Sequence, residues 1–214
     1  MSVKEQYERE GHVLLPRFLP VEVARAFLLQ LREDVKKVPR EALEKNHALL
    51  KRSAIELYGF HYTPLITFLW GMTPAIEGLL GKKLLPSYSY FRIYRQGDVC
   101  RVHSDRPSCE VSLSLTLAYG DDRPWALDMA TDHLLDPQPV VVDDFEGADY
   151  HSVLMAPGDA VLYQGVHRRH GRITPNPNSW SAHAFLHWVD PDGPYSDKRF
   201  DGRPVPEEVR FSFG

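Results

Sequence analysis

Twenty-five Lys and Arg against 29 Asp and Glu leave the 214-residue chain with a net charge of −4, and 43% of its residues are hydrophobic. A chain of this length buries roughly 70% of its unfolded surface, so disorder as the main state is excluded and one domain over residues 1–214 suffices. The slight acidity excludes a general electrostatic grip on phosphate backbones, so nucleic acid is not an expected partner.

In chain order, residues 1–83 read as mainly helical. The opening MSVKEQYEREGHVLLPRF mixes acids and bases and lacks the apolar core of a secretory signal, and no stretch is apolar enough for a membrane span. Cys100 and Cys109 are too few for a disulfide framework and suit a reducing interior, so a soluble, cytoplasmic protein with no membrane partner is expected. Val21, Ala24, Phe27, Leu28, Leu31 and Val35 recur at spacings of three and four, the stripe of an amphipathic helix over 21–38 with Pro20 at its start. Residues 41–50 and 64–80 read the same way; Pro74 is expected to break the latter in two, and Gly81 to end it.

From residue 84 the pattern becomes short runs of Tyr, Val, Ile and Leu alternating every second position. Strands are expected at 87–94, 99–103, 110–119, 125–129, 140–143, 152–155, 160–163 and 180–189, with Pro157-Gly158-Asp159 as a turn. Helices followed by close-spaced strands predict an α+β chain: a jelly-roll or cupin-like barrel, the double-stranded β-helix, over 84–190, with the N-terminal helices packed on one sheet. Residues 191–214, rich in Pro, Gly and charge, read as a C-terminal tail or a segment draped over the barrel.

His103-Ser104-Asp105 carries the chemistry. On a strand, positions i and i+2 share a face, so His103 and Asp105 can converge on one ion. With a distant His they make a 2-His-1-carboxylate facial triad, which leaves coordination sites open on Fe(II) for substrate and O2. Among ten histidines the tripeptide alone is commonplace. Its context gives it weight: a Tyr-rich strand and a Gly turn before it, period-2 apolar residues after it, and a late His beyond Pro157-Gly158-Asp159.

In that context the chain resembles the Fe(II)- and 2-oxoglutarate-dependent dioxygenases, in particular bacterial relatives of prolyl 4-hydroxylase. Tyr88 to Asp105 is similar to that family's strand, turn and HxD entry. Pro157 to Tyr163 followed by His170-Gly171-Arg172 is similar to its return strand with the distal ligand, and Ala184 to Asp190 to its closing strand. The resemblance implies an oxygenase, most simply a hydroxylase, with Fe(II), 2-oxoglutarate and O2 as cofactor and cosubstrates and succinate as product. His103, Asp105 and His170 are then the metal ligands; His170 is preferred to His167 because it aligns with the family's His and has Gly171 beside it. Asp105 in the carboxylate position argues against the halogenases of the superfamily.

The chain departs from the pattern where the family places a cation for the far carboxylate of 2-oxoglutarate: here the stretch reads Trp180-Ser181-Ala182-His183. Arg172, sharing a face with His170, is the first substitute and Arg92, aligned with Tyr90 and Tyr94, the second. The bland reading of either is a salt bridge to an acid such as Asp98, Glu110 or Asp128. By resemblance Tyr94 donates its phenol to the cosubstrate, the alternative being a core tyrosine. Arg106 orients the metal carboxylate, gates the opening, or forms a surface ion pair. Trp125, Asp128 and Trp180 are candidates for a substrate pocket, with core packing the alternative for the tryptophans; His183 reaches the cavity or, like His151 and His187, sits hydrogen-bonded in the core. A small-molecule substrate is favoured over a peptide. A cupin-like binder that turns nothing over, or a different metal enzyme on the same barrel, are the rival readings.

Overall fold

The computed structural model describes residues 1–135, 140–204 and 212. The described elements run α1 (Val3–Glu10), β1 (His12–Leu15), α2 (Val21–Val35), α3 (Arg40–Leu43), β2 (Glu44–Lys45), β3 (Ala54–Tyr58), α4 (Thr63–Leu80), β4 (Leu85–Arg95), β5 (Cys100–His103), β6 (Val111–Tyr119), β7 (Leu127–Ala130), β8 (Val141–Val142), β9 (Tyr150–Val153), β10 (Ala160–Tyr163), β11 (His170–Arg172) and β12 (Trp180–Val189). One sheet has the order β1-β10-β6-β12-β4-β3-β2 and the other β8-β5-β11-β7-β9. Every ladder in them is antiparallel. This is an α+β arrangement of two antiparallel sheets with helices on one of them.

The strand sequences explain the layering. In β6, Leu113, Leu115 and Leu117 join the core beneath the helices with Ala182, Ala184 and Leu186 of β12 and Phe91 of β4. The alternate positions, Ser112, Ser114 and Thr116 on β6 and His183, Phe185 and His187 on β12, are also buried, facing the other sheet. Tyr88, Tyr90, Arg92 and Tyr94 continue that inner face on β4. The large sheet is thus oily toward its helices and polar or aromatic toward its partner. Leu127, Met129 and Met155 meet Val161 and Tyr163 to close one end of the space between the sheets.

Several expectations are corrected. Residues 1–83 are mainly helical, as expected, but β1, β2 and β3 within them were not expected and extend the large sheet at its two edges. The helix expected at 41–50 shrinks to the four residues of α3, after which Glu44 and Lys45 pair with β3. In Ala54–Tyr58 the alternation is masked by Glu56, a buried acid on the inner face. Pro74 does not split the third helix; α4 is continuous from Thr63 to Leu80. Pro74 lies on its exposed face, giving up only the bond to the carbonyl of Trp70 on the same flank. Gly81 does end α4, with φ +67° and its N–H donating to the carbonyl of Glu77 at 2.7 Å. The three-residue β11 is absent from the strands that alternation gives, and only the family resemblance placed His170 and Arg172 on one. Of the expected tail, residues 205–211 and 213–214 lie outside the described residues; Ser196–Gly202 lies against β4 as a short helical turn that kinks at Arg199–Asp201.

Candidate metal centre

β5 ends on His103 and β11 begins on His170, and the antiparallel register sets these two residues opposite each other. Their ring centroids are 4.4 Å apart. His103 Nδ1 lies 2.7 Å from the carbonyl of Arg101, and His170 Nδ1 lies 2.9 Å from that of Arg168. A carbonyl only accepts, so each Nδ1 carries the proton and each Nε2 presents a lone pair to the space between the sheets. Asp105 follows directly: its Oδ1 is 3.6 Å from His103 Nε2 and its Oδ2 3.6 Å from His170 Nε2. One ligand atom from each of the three side chains falls within 4.8 Å of the others, a spacing that can hold a metal ion.

Two glycines make this convergence possible. Asp105 N–H donates to the carbonyl of Gly165 at 2.9 Å, and a Cβ on Gly165 would stand 2.4 Å from Asp105 Oδ2. A Cβ on Gly171 would stand 2.8 Å from the carbonyl of Cys100, so β11 approaches β5 as closely as the sequence suggested. Burial disfavours ionisation of Asp105, but the imidazoles of His170 and His103 outweigh it and hold the carboxyl well below its usual range. Burial pushes His170 down to about 4 despite Asp105. Near neutral pH the cluster is a carboxylate with an uncharged imidazole at His170, the protonation state a divalent cation requires.

Arg172 is 1% exposed. Its Nη1 donates to the carbonyls of Trp125 at 2.7 Å and Ala126 at 2.9 Å, and its guanidinium stacks on the Trp125 ring at 4.7 Å. Its Nη2 has only Met155 Sδ at 3.6 Å and His183 Nδ1 at 3.5 Å. No carboxylate among the described residues pairs with it, whereas a buried cation ordinarily has an anion. Arg92 differs: its Nε donates to Glu56 Oε1 at 2.6 Å and its Nη1 to the Tyr94 hydroxyl at 2.8 Å. Glu56 also receives His47 Nε2 at 2.8 Å and the Tyr58 hydroxyl at 3.1 Å. Arg92 is therefore neutralised by an acid outside the three the sequence suggested. Asp98 instead binds Arg52, and Glu110 takes the N–H of Asp190 at 2.8 Å.

His103, Asp105, His170, Arg172, Arg92, Tyr90 and Tyr94 all line one narrow cleft between the sheets. Asp128 is buried with both oxygens taken, Oδ1 by Ser152 Oγ at 2.6 Å and Oδ2 by Ile173 N–H at 3.1 Å, and does not line it. Trp125 packs edge-on to Tyr94 at 5.0 Å and donates its Nε1–H to Thr174 at 2.7 Å. Trp180 is 40% exposed on the far side of the large sheet. His183 is buried against Tyr94 and Arg172; burial first, then the guanidinium charges of Arg172 and Arg92, push it well below its ordinary pKa, and its Nε2 finds no partner among the described residues. His167 turns away and donates to the carbonyl of Leu134 at 2.9 Å. Arg106 pairs with Asp201 and lies over Tyr88 at 4.4 Å.

Sequence reasoning passed over three contributors, Gly165, Glu56 and Ser112, and suggested only a hydrogen-bonded core place for a fourth, His187. Ser112 Oγ touches Asp105 Oδ2 at 3.3 Å and His187 Nδ1 at 2.8 Å. The inward alternation of Ser112 and of His187 was readable from the strands, but not which residues it would face.

No family model matches the chain, and no curated protein matches it in sequence. Among solved structures it is similar to the non-heme alpha ketoglutarate dependent carbocyclase SnoK from nogalamycin biosynthesis, with TM-score 0.70 at 11% identity over 96% of this chain and 93% of that one. HygX from Streptomyces hygroscopicus, solved with nickel, 2-oxoglutarate and hygromycin B bound, gives TM-score 0.62 at 10% identity over 87% and 85%. A Pseudomonas putida prolyl-4-hydroxylase gives TM-score 0.54 at 19% identity over 86% and 96%. The chain therefore has the fold of the iron- and 2-oxoglutarate-dependent oxygenases that its sequence resembles.

Proposed function

We propose that the chain is an Fe(II)- and 2-oxoglutarate-dependent oxygenase that hydroxylates an unactivated C–H bond of a small molecule, an amino acid or natural product, releasing succinate and CO2. Its two sheets are then the walls of a double-stranded β-helix. The observation that carries this reading is the pairing of His103 with His170 across two strands, with Asp105 between their Nε2 atoms. Two imidazole nitrogens and one carboxylate on one side of an ion fit ferrous iron and leave it accessible. When bound, the iron supplies the site at which O2 is activated as chelated 2-oxoglutarate loses CO2.

The protein's own part is geometry and charge. The carbonyls of Arg101 and Arg168 fix the two imidazoles, and Ser112 steadies the carboxylate of Asp105. Arg172 Nη2 receives the far carboxylate of 2-oxoglutarate, which answers a buried cation left without an acid. The cation missing near Ser181 is thus replaced from the facing sheet, and that absence no longer favours a binder without turnover. The small-molecule reading is supported by the fold shared with SnoK and with the hygromycin B-bound HygX.

Anaerobic titration of the Fe(II) protein with 2-oxoglutarate is expected to produce the charge-transfer band of chelated iron, and admission of air to release succinate. His103→Ala and Asp105→Ala are each expected to lose stoichiometric iron and the band. Normal iron content in either variant would overturn the assignment.

A further inference from the structure

A chain of contacts runs outward from the proposed metal ligand. Ser112 joins Asp105 to His187, and His187 stacks on Tyr88 at 4.6 Å. The guanidinium of Arg106, the residue after Asp105, lies over the Tyr88 ring at 4.4 Å. Arg106 also donates from Nη1 to Ser108 Oγ at 3.1 Å, and its anionic partner among the described residues is Asp201.

Asp201 sits in an unusual piece of backbone. Phe200, Asp201 and Gly202 have φ of 52°, 59° and 68°, three successive residues in the left-handed region. Asp tolerates that region and Gly favours it, but a bulky aromatic there is strained. The turn is held by Phe200 stacked on Trp70 at 6.0 Å, by Arg203 over Phe60 at 3.8 Å, and by the Ser87 hydroxyl donating to the carbonyl of Lys198 at 3.1 Å. Of these, the aromatic contact is partly open to solvent, Trp70 being 50% exposed, whereas Ser87 is buried. A second observation points the same way: His187 is 2% exposed, yet its Nε2 has no hydrogen-bond partner among the described residues. A buried polar atom is ordinarily satisfied, so an outside group is expected to meet it.

We propose that Arg106 anchors the carboxylate of an anionic small-molecule substrate, that Asp201 occupies its place as an internal stand-in, and that the 200–202 turn lifts when substrate arrives. His187 Nε2 then meets a second polar group of the same substrate. The inference deepens the oxygenase reading and rests on it, narrowing the substrate to carboxylate-bearing molecules. Strain in the turn makes its release less costly, while a carboxylate at Arg106 keeps the guanidinium paired in both states.

The test uses the Fe(II) protein with 2-oxoglutarate and a panel of L-amino acids and simple carboxylic acids, each beside its primary amide, with succinate release as readout. Acids, not their amides, are expected to stimulate release, and Arg106→Gln to weaken half-saturation by about ten- to a hundredfold, the weight of one charge-assisted hydrogen bond. Asp201→Asn removes the competing anion and is expected to tighten it. Limited trypsin digestion at Lys198, Arg199 and Arg203 is expected to quicken in Asp201→Asn and, in the native chain, on adding a stimulating acid. Amides acting as well as acids, looser half-saturation in Asp201→Asn, or no acid that either stimulates release or quickens cleavage would overturn the inference. The charge-transfer band separates the two failures: its absence from the native protein defeats the oxygenase reading, and its presence with any of these outcomes defeats only this one. Should Arg106→Gln lose the band by misfolding, Asp201→Asn and the acid–amide comparison decide.

Discussion

Glu56 and Arg92 face each other across β3 and β4, so the first guanidinium of the cavity acquires its acid from the neighbouring strand. Arg172 has neighbours of another kind, two carbonyls, a thioether and an imidazole, and no carboxylate among the described residues pairs with it. Arg172→Ala is therefore expected to weaken 2-oxoglutarate binding by about ten- to a hundredfold while iron still binds, measured as the 2-oxoglutarate concentration that half-develops the charge-transfer band. Unchanged affinity would move the anchor elsewhere. Sequence alone ranked Arg172 before Arg92 by strand parity, and what separates them is the partner of each, a matter of pairing between strands.

At the scale of elements, the site depends on how closely strands and loops approach. Gly165→Ala would drive a methyl to within 2.4 Å of both Asp105 Oδ2 and the carbonyl of Cys109. Backbone on one side and the Asp105 carboxylate on the other leave no inexpensive escape, so weaker iron binding, under the proposed assignment, and a lower unfolding midpoint are expected, read by metal analysis and thermal melting. The large sheet is fastened to its helix by Trp188 Nε1–H donating to Thr73 Oγ1 at 2.9 Å, both residues being buried. Thr73→Val keeps the volume and strands the indole N–H, at a cost of about 1–3 kcal/mol in urea unfolding; a loss near zero would mean that the donor finds another acceptor. Strand alternation in the sequence foretold the faces of β6 and β12. It did not foretell β1, β3 or β11, because a short edge strand, a strand carrying a buried acid and a three-residue strand in a basic run lack the apolar signal.

For the molecule as a whole, the polar space between the sheets makes stability depend on pH. His170 and His187 ordinarily titrate near 6.5, and burial, only partly offset by Asp105, pushes each down to about 4. Between those values the unfolded chain binds more protons than the folded one. The stability these groups contribute is therefore full above pH 6.5 and drains away as the pH falls toward about 4, at about 1.4 kcal/mol per pH unit for each group. Urea unfolding of the metal-free protein from pH 7 to pH 4 is expected to show that decline, with His187→Gln making it shallower; a flat profile would contradict uncharged, buried imidazoles.

Composition bounded the size and class of the fold, period-2 alternation gave most of the strands, and the i, i+2 spacing of His103 and Asp105 put two proposed ligands on one face, because these properties are local and the backbone geometry of a strand dictates them. The third member of the proposed triad came from resemblance to a family and the proposed anchor from parity. Tertiary structure decided the rest: the register that sets His170 against His103, the acid that claims Arg92 and the lack of one at Arg172, and the turn that lays Asp201 on Arg106. Each is a contact between residues far apart in the chain, and nothing in the local spacing of either partner encodes the distance at which they meet.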